Sequence, residues 1–117
     1  MEVGQRVPTV WFPRAIVHNA IGPAAFTDLD LSAWVGARQA FVVLSVLNGS
    51  GANSNANFRR NGEAVTSMES GIAGTQSTLN GRIAYLAIVT DSNGIVEWFV
   101  SNVAGTHTVI LEAYAHA

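Results

Sequence analysis

The sequence predicts an all-β protein, an antiparallel β-sandwich of jelly-roll type with about eight short strands and an extended N-terminal arm. Three observations predict it. Arg38 to Leu47 (RQAFVVLSVL) is a continuous apolar run rich in β-branched residues, which marks a strand buried on both faces. Arg82 to Thr90 and Ile95 to Ser101 are two further apolar runs flanking Asp91-Ser92-Asn93-Gly94, and Asn-Gly between such runs signals a hairpin. A second turn at Ala104-Gly105 would return the chain into His107 to Ala115, giving a three-stranded meander with two apolar faces. One face can pack on a second sheet; the other must be covered as well.

The elements follow in order. Met1 to Pro13 reads as an extended arm, because Pro8 and Pro13 cannot donate to a sheet and push their predecessors toward extended geometry. It carries Val10, Trp11 and Phe12, which leaves it two destinations: its own core or a neighbour. Residues 14 to 117 form the single sandwich domain. Ala15 to Ala20 is a short strand ended by Gly22-Pro23. Phe26, Leu29 and Leu31 follow, with Asp28 and Asp30 alternating against the two leucines at period two. Ser32 to Gly36 is one turn, capped by Ser32 and ended by Gly36. Asn48 to Asn55 is a polar loop, and Asn48-Gly49-Ser50 in it matches a glycosylation sequon, a pattern short enough to arise by chance. Ala56 to Arg60 is a strand with Phe58 pointing inward, turning at Asn61-Gly62. Glu63 to Asn80, glycine-bearing and unpatterned, is a long loop with room for one strand.

In the meander, Tyr85, Ala87 and Val89 share a face with Val96, Trp98 and Val100. Leu86 and Ile88 share the opposite face with Glu97 and Phe99. Glu97 and Glu112 lie mid-strand and oppose each other if Ala104-Gly105 turns tightly. Like charges there require an arginine, for which Arg38 or Arg82 is placed.

Composition sharpens the question of what covers the surface. Charged residues make up 12% of the chain against about 25% in an ordinary soluble domain. All six cations are arginine and none is lysine, while 49% of residues are hydrophobic. Arginine without lysine is the composition of surfaces that meet other proteins. A net charge of -2 provides no basic field for nucleic acid. No stretch reaches the ~18 apolar residues of a membrane helix, and Pro8 and Pro13 interrupt any signal-peptide pattern. The absence of cysteine excludes disulfides and thiolate metal sites.

Catalytic motifs are missing: there is no GxSxG elbow, Walker loop or GxGxxG, so no enzyme and no cofactor is expected. Asp91-Ser92-Asn93-Gly94 opens like a calcium loop, but the glutamate position of such a loop holds Asn102 and the neighbours are β; a turn is expected. His18, His107 and His116 lack metal-ligand spacing and read as solvated or hydrogen-bonded. Asp28 and Asp30 read as the wet side of an edge strand. Arg59-Arg60, beside Phe58, is the one adjacent basic pair, and it fits a carboxylate clamp or an inter-subunit salt bridge better than nucleic acid. Partner-facing candidates are therefore Trp11 and Phe12 on the arm, Arg59 and Arg60, and Glu97 and Phe99 on the meander.

The stretches DLDLSAWVGARQAFVVLSVLN, NFRRNGE, VTDSNGIVEW and VILEAY resemble small β-sandwich structural proteins of tailed bacteriophages, over roughly Phe26 to Tyr114. The resemblance implies a non-enzymatic virion component, most simply a capsid cement or decoration protein on the capsid surface. Its implied partners are other copies of itself, as homodimer or homotrimer, and the major capsid protein. The alternative it implies is a distal tail-fibre module that binds a host glycan, with Trp34, Tyr85 or Tyr114 as stacking aromatics, although the core is the expected place for each of the three.

Overall fold

The computed structural model describes residues 9–63, 74–78 and 81–117. Two four-stranded antiparallel sheets form a sandwich. The strands are β1 (Ala15–Ile21), β2 (Thr27–Asp30), β3 (Ala40–Gly49), β4 (Ser54–Arg60), β5 (Gly74–Thr78), β6 (Ile83–Val89), β7 (Ile95–Val100) and β8 (Thr106–His116). One sheet runs β1-β8-β3-β6 and the other β2-β7-β4-β5. Every connection therefore crosses between sheets except β4 to β5, which is the double Greek-key order of a jelly roll.

The core forms where alternating rows of the two sheets meet. β3 turns Val42, Leu44 and Val46 inward, and β8 adds Val109 and Leu111, all fully buried. The facing sheet contributes Phe58 from β4 and Val96, Trp98 and Val100 from β7. Phe58 and Trp98 stack with ring centroids 5.5 Å apart and planes at 14°. Fully burying an aliphatic or aromatic side chain of this size contributes about 1.5–3 kcal/mol, so these rows dominate the stability of the fold.

The meander expected over Arg82 to Ala115 does not form, because β6 and β8 lie in one sheet and β7 in the other. The physical reason sits in the turn. A two-residue hairpin of type I′ needs positive φ at both central residues, and here Gly94 has φ 77 while Asn93 does not. Asp91 instead builds a corner: its Oδ1 accepts from the N–H groups of Asn93 (2.8 Å) and Ile95 (2.9 Å), and its Oδ2 from Asn61 (3.0 Å). Burial works to raise the Asp91 pKa, but these bonds and the nearby Arg60 outweigh it and hold the carboxyl below the usual range. The facing of side chains changes accordingly. Val96, Trp98 and Val100 are core residues from one sheet, and Leu86 and Ile88 are core residues from the other. Glu97 and Glu112 are in different sheets and do not oppose each other. Their partners are Arg59 and Arg14, not Arg38 or Arg82.

Other elements form near their expected bounds, and two expectations about them, the cap at Ser32 and the two-sided burial of β3, are corrected. The turn after β2 is a helix, α1 (Ser32–Val35), ended by Gly36 at φ 84. The Ser32 N–H donates to the Asp30 carboxylate (2.9 Å), and the N-cap position is Leu31, without a side-chain cap bond, not Ser32. The apolar run around β3 is buried on one face only, because Phe41 and Leu47 stay exposed. The polar loop is shorter than expected, since β3 continues through Asn48, whose buried amide donates to the Ala52 carbonyl at 2.7 Å. Most of the segment expected as a long loop lies outside the described residues; β5 is the strand in it.

The arm folds back on its own domain. Trp11 and Tyr114 exchange both backbone hydrogen bonds at 2.9 Å, and their rings stack with centroids 5.1 Å apart. The arm from residue 1 to residue 8 lies outside the described residues. After Pro13 the chain bends at Arg14, with φ 47, to enter β1.

His107 seals one end of the core. It is buried, its Nε2 lies 3.0 Å from the Ser54 hydroxyl, and its Nδ1 has no hydrogen-bond partner. Burial pushes its pKa below the usual imidazole value, against a weaker upward pull from the Gly105 backbone, and nearby His18 adds to the depression. Its folded pKa is thus below its unfolded one, so the unfolded chain binds the proton more readily and stability falls as pH drops through about 6.5. Thermal melts of the wild type are expected to shift downward between about pH 7 and pH 5. A His107→Asn variant, which cannot titrate, should show a flatter profile over that window; an equally steep one would assign the effect elsewhere.

Candidate functional site: an apolar sheet face

The outward face of the β1-β8-β3-β6 sheet can be read row by row from the strand register. Ile16 pairs with Ile110, Ile110 with Ser45, and Ser45 with Tyr85. The next row is Asn19, Thr108, Leu47 and Ile83. On the other side lie Ala113, Val43 and Ala87, then Ala115, Phe41 and Val89. Alternation at period two sends all of these away from the core. Tyr85 is 61% exposed and Ile16 58%, and Ile83, Phe41 and Leu47 are exposed as well.

The arm extends this face. Trp11 stacks inward on Tyr114, so its neighbours Val10 and Phe12 point to the outer side by strand alternation. Phe12 is 71% exposed. Large exposed apolar side chains among the described residues concentrate here: apart from the buttressing Trp11 and loop residue Val103, all belong to this face, its rim or the arm.

Among the described residues one carboxylate interrupts the face, and a bulge puts it there. The β3–β8 register shifts between Val43 and Leu44, which leaves Glu112 as the extra residue of β8 on the outer side. Both its oxygens are occupied: Ser45 Oγ donates to Oε2 at 2.7 Å, and Arg14 Nε lies 3.2 Å from Oε1. A corresponding shift in β1 between Ile16 and His18 turns His18 inward, edge-on to the Trp98 ring at 4.8 Å.

The outer face of the other sheet has a different chemistry. Asp28 opposes Glu97, and Glu97 opposes Arg59. Arg59 Nε is 3.0 Å from Glu97 Oε1, and its guanidinium lies 3.7 Å above the Phe26 ring centre. Phe26 in turn packs edge-on against Phe99 at 4.7 Å. Asp30 shares this face, and its pKa is lowered by hydrogen bonds from Ser32. Arg60 pairs with Glu63 at 3.0 Å.

The partner-facing residues expected from sequence are thus divided. Trp11 and Phe12 border the apolar face, whereas Arg59, Glu97 and Phe99 form an internally satisfied patch on the opposite sheet, with Arg60 at its end. Ile16, Phe41, Leu47, Ile83 and Tyr85, which build the apolar face, were not among those candidates. Their signal was present: β3 and β6 are apolar at both parities, and only one parity can enter the core. Of the three aromatics weighed for sugar stacking, Trp34 and Tyr114 pack against the core while Tyr85 does not.

Among the described residues, His116 and His18 serve the fold. His116 Nε2 bonds the Val35 carbonyl at 2.9 Å, and His18 Nε2 lies 3.2 Å from the Ala20 and Ile21 carbonyls. Comparison of the chain with protein-family models, with curated proteins and with solved structures returned no match.

Proposed function

We propose that this protein is a non-enzymatic structural component of a virion, a decoration subunit that binds and reinforces a capsid lattice. The observation that carries the reading is the asymmetry of the sandwich: one outer face carries a cluster of charged residues, and the other is largely apolar, with Ile16, Phe41, Leu47, Ile83 and Tyr85 exposed on it. A face of that kind exists to be covered, because contiguous apolar patches beyond a few hundred Å² are rare on monomers. The low charge and the resemblance to phage sandwich proteins point the same way. So does the use of Asp30, Asp91, Glu97, Glu112 and His107 in caps, corners and ion pairs rather than in a cleft. In this role the arm, through Val10 and Phe12, is the strap toward the lattice.

The test is quantitative mass spectrometry of purified particles. Copy numbers in fixed ratio to the major capsid protein support the reading, and absence from particles overturns it. The exposed Tyr85 ring favours one other reading, a tail-tip module that stacks on a host glycan. A few copies per particle confined to the tail fraction, with binding on a host-polysaccharide array, would replace the capsid role with that one.

A further inference from the structure

We infer that the occupant of the apolar β1-β8-β3-β6 face is a second copy of this chain. The inference rests on the reading of the protein as an assembly subunit, and it names the partner of that one face.

Size is the first argument. Four strands spaced about 4.8 Å apart, averaging about nine residues at about 3.3 Å each, give a sheet plane on the order of 500–600 Å². Side-chain relief enlarges that plane. The total approaches the roughly 800 Å² per partner of a stable interface. Composition fits too, since interfaces between permanently associated copies are the most apolar kind.

Charge is the second argument, and it discriminates between faces. Self-packing requires a face that does not repel itself. Among the described residues, the apolar face carries Arg14 and Glu112, +1 and -1, for a sum of zero. The opposite outer face carries Asp28, Asp30 and Glu97 against Arg59, -3 and +1, for a sum of -2. Two copies meeting through that second face would place like charges together.

Glu112 is already equipped for burial. Covering a carboxylate is expensive unless it is paired and hydrogen-bonded. This one is already held on both oxygens by Ser45 and Arg14 of its own chain. An apolar surface can therefore close over it without supplying a counter-charge. A partner of another kind would have no need of that arrangement if it brought its own cation, whereas a second copy presents only the same neutral surface.

The experiment is light scattering coupled to size exclusion on the full chain, with two face variants and one control. The wild type is expected at a multiple of 12.3 kDa. Tyr85→Asp and Ile16→Asp should each weaken association about tenfold or more, because both bury a charge at the contact. Asp28→Asn on the opposite face should leave the mass unchanged. A wild type that stays at the single-chain mass up to its solubility limit overturns the inference. So does an oligomer indifferent to both face variants while their β circular dichroism is intact. Should the variants misfold, hydroxyl-radical footprinting of the wild type decides: a protected Tyr85 supports the inference, and a fully reactive one overturns it. Failure here is separable from failure of the functional reading. A single-chain species bound to virions overturns the self-contact alone, and an oligomer absent from virions overturns the decoration role alone.

Discussion

Trp98→Ala is expected to destabilise the fold by about 3–5 kcal/mol, the range for removing a buried aromatic ring. Domains of this kind have about 5–15 kcal/mol in total, so the variant approaches the edge of foldability. Trp98 is 1% exposed, stacks on Phe58 from the neighbouring strand β4, and receives the edge of His18 from the opposite sheet. It therefore links the sheets as well as the strands within one. At this chain length each kcal/mol moves the melting temperature by about 4 °C, so a drop on the order of 10–20 °C is expected. Trp98→Phe, which keeps the stack on Phe58, should recover a substantial part of the loss. A urea midpoint for Trp98→Ala close to wild type would mean that the ring is not where the two sheets meet.

The contrast between Trp98 and Tyr85 shows what the sequence made legible. Both lie in apolar runs, and period-two alternation correctly separates Trp98 from Phe99 and Tyr85 from Leu86. What alternation cannot provide is the relation between runs. A hairpin at Asn93-Gly94 would set Tyr85 on the face of Trp98; with a corner there, Tyr85 faces outward and Trp98 inward. Sandwich class, helix α1, strand β4 with its buried Phe58 and the outward Asp28 and Asp30 were all readable, because each depends on residues within a few positions of one another. The partners of Glu97 and Glu112 were not, because Arg59 and Arg14 reach them through strand pairings that join distant parts of the chain. The bulge that brings Glu112 to the outer side is equally invisible, since it is defined only by register against β3.

The same long-range pairing explains why the second apolar face lies on the β1-β8-β3-β6 sheet and not on a meander over Arg82 to Ala115. The run at β3 is apolar at both parities, which signals cover on two sides. Its inner side is covered by β4 and β7 of the same chain, and its outer side presents Phe41, Val43 and Leu47 to the surroundings. The arginine-only cation set fits this division. Arg59 lies flat on Phe26 while bonding Glu97, and Arg14 holds Glu112 at the margin of the apolar face. Planar guanidinium groups can stack and pair at once, which an ammonium cannot do.

Gly94→Ala is expected to cost about 2–4 kcal/mol, two separate penalties acting at one atom. Gly94 has φ 77, where a side chain adds roughly 1–2 kcal/mol of backbone strain. A Cβ there would also collide with the Gly36 carbonyl oxygen and approach Val35 Cγ2 (3.1 Å) and Ser32 Cα (3.2 Å), most of which is backbone that cannot rotate aside. Relief requires the Asp91–Gly94 corner to move away from α1. That movement breaks the bond from Leu31 N–H to the Gly94 carbonyl, now 2.9 Å, and pulls at the point where the chain crosses from β6 to β7. Gly62 separates the two penalties. Its φ is 89, but the space a Cβ would occupy is open, so Gly62→Ala should show the strain alone, about 1 kcal/mol. Paired denaturation curves measure the difference directly. If Gly94→Ala is no more harmful than Gly62→Ala, the corner is not packed against α1 as described, and the crossing between the sheets is held by the Asp91 hydrogen bonds instead.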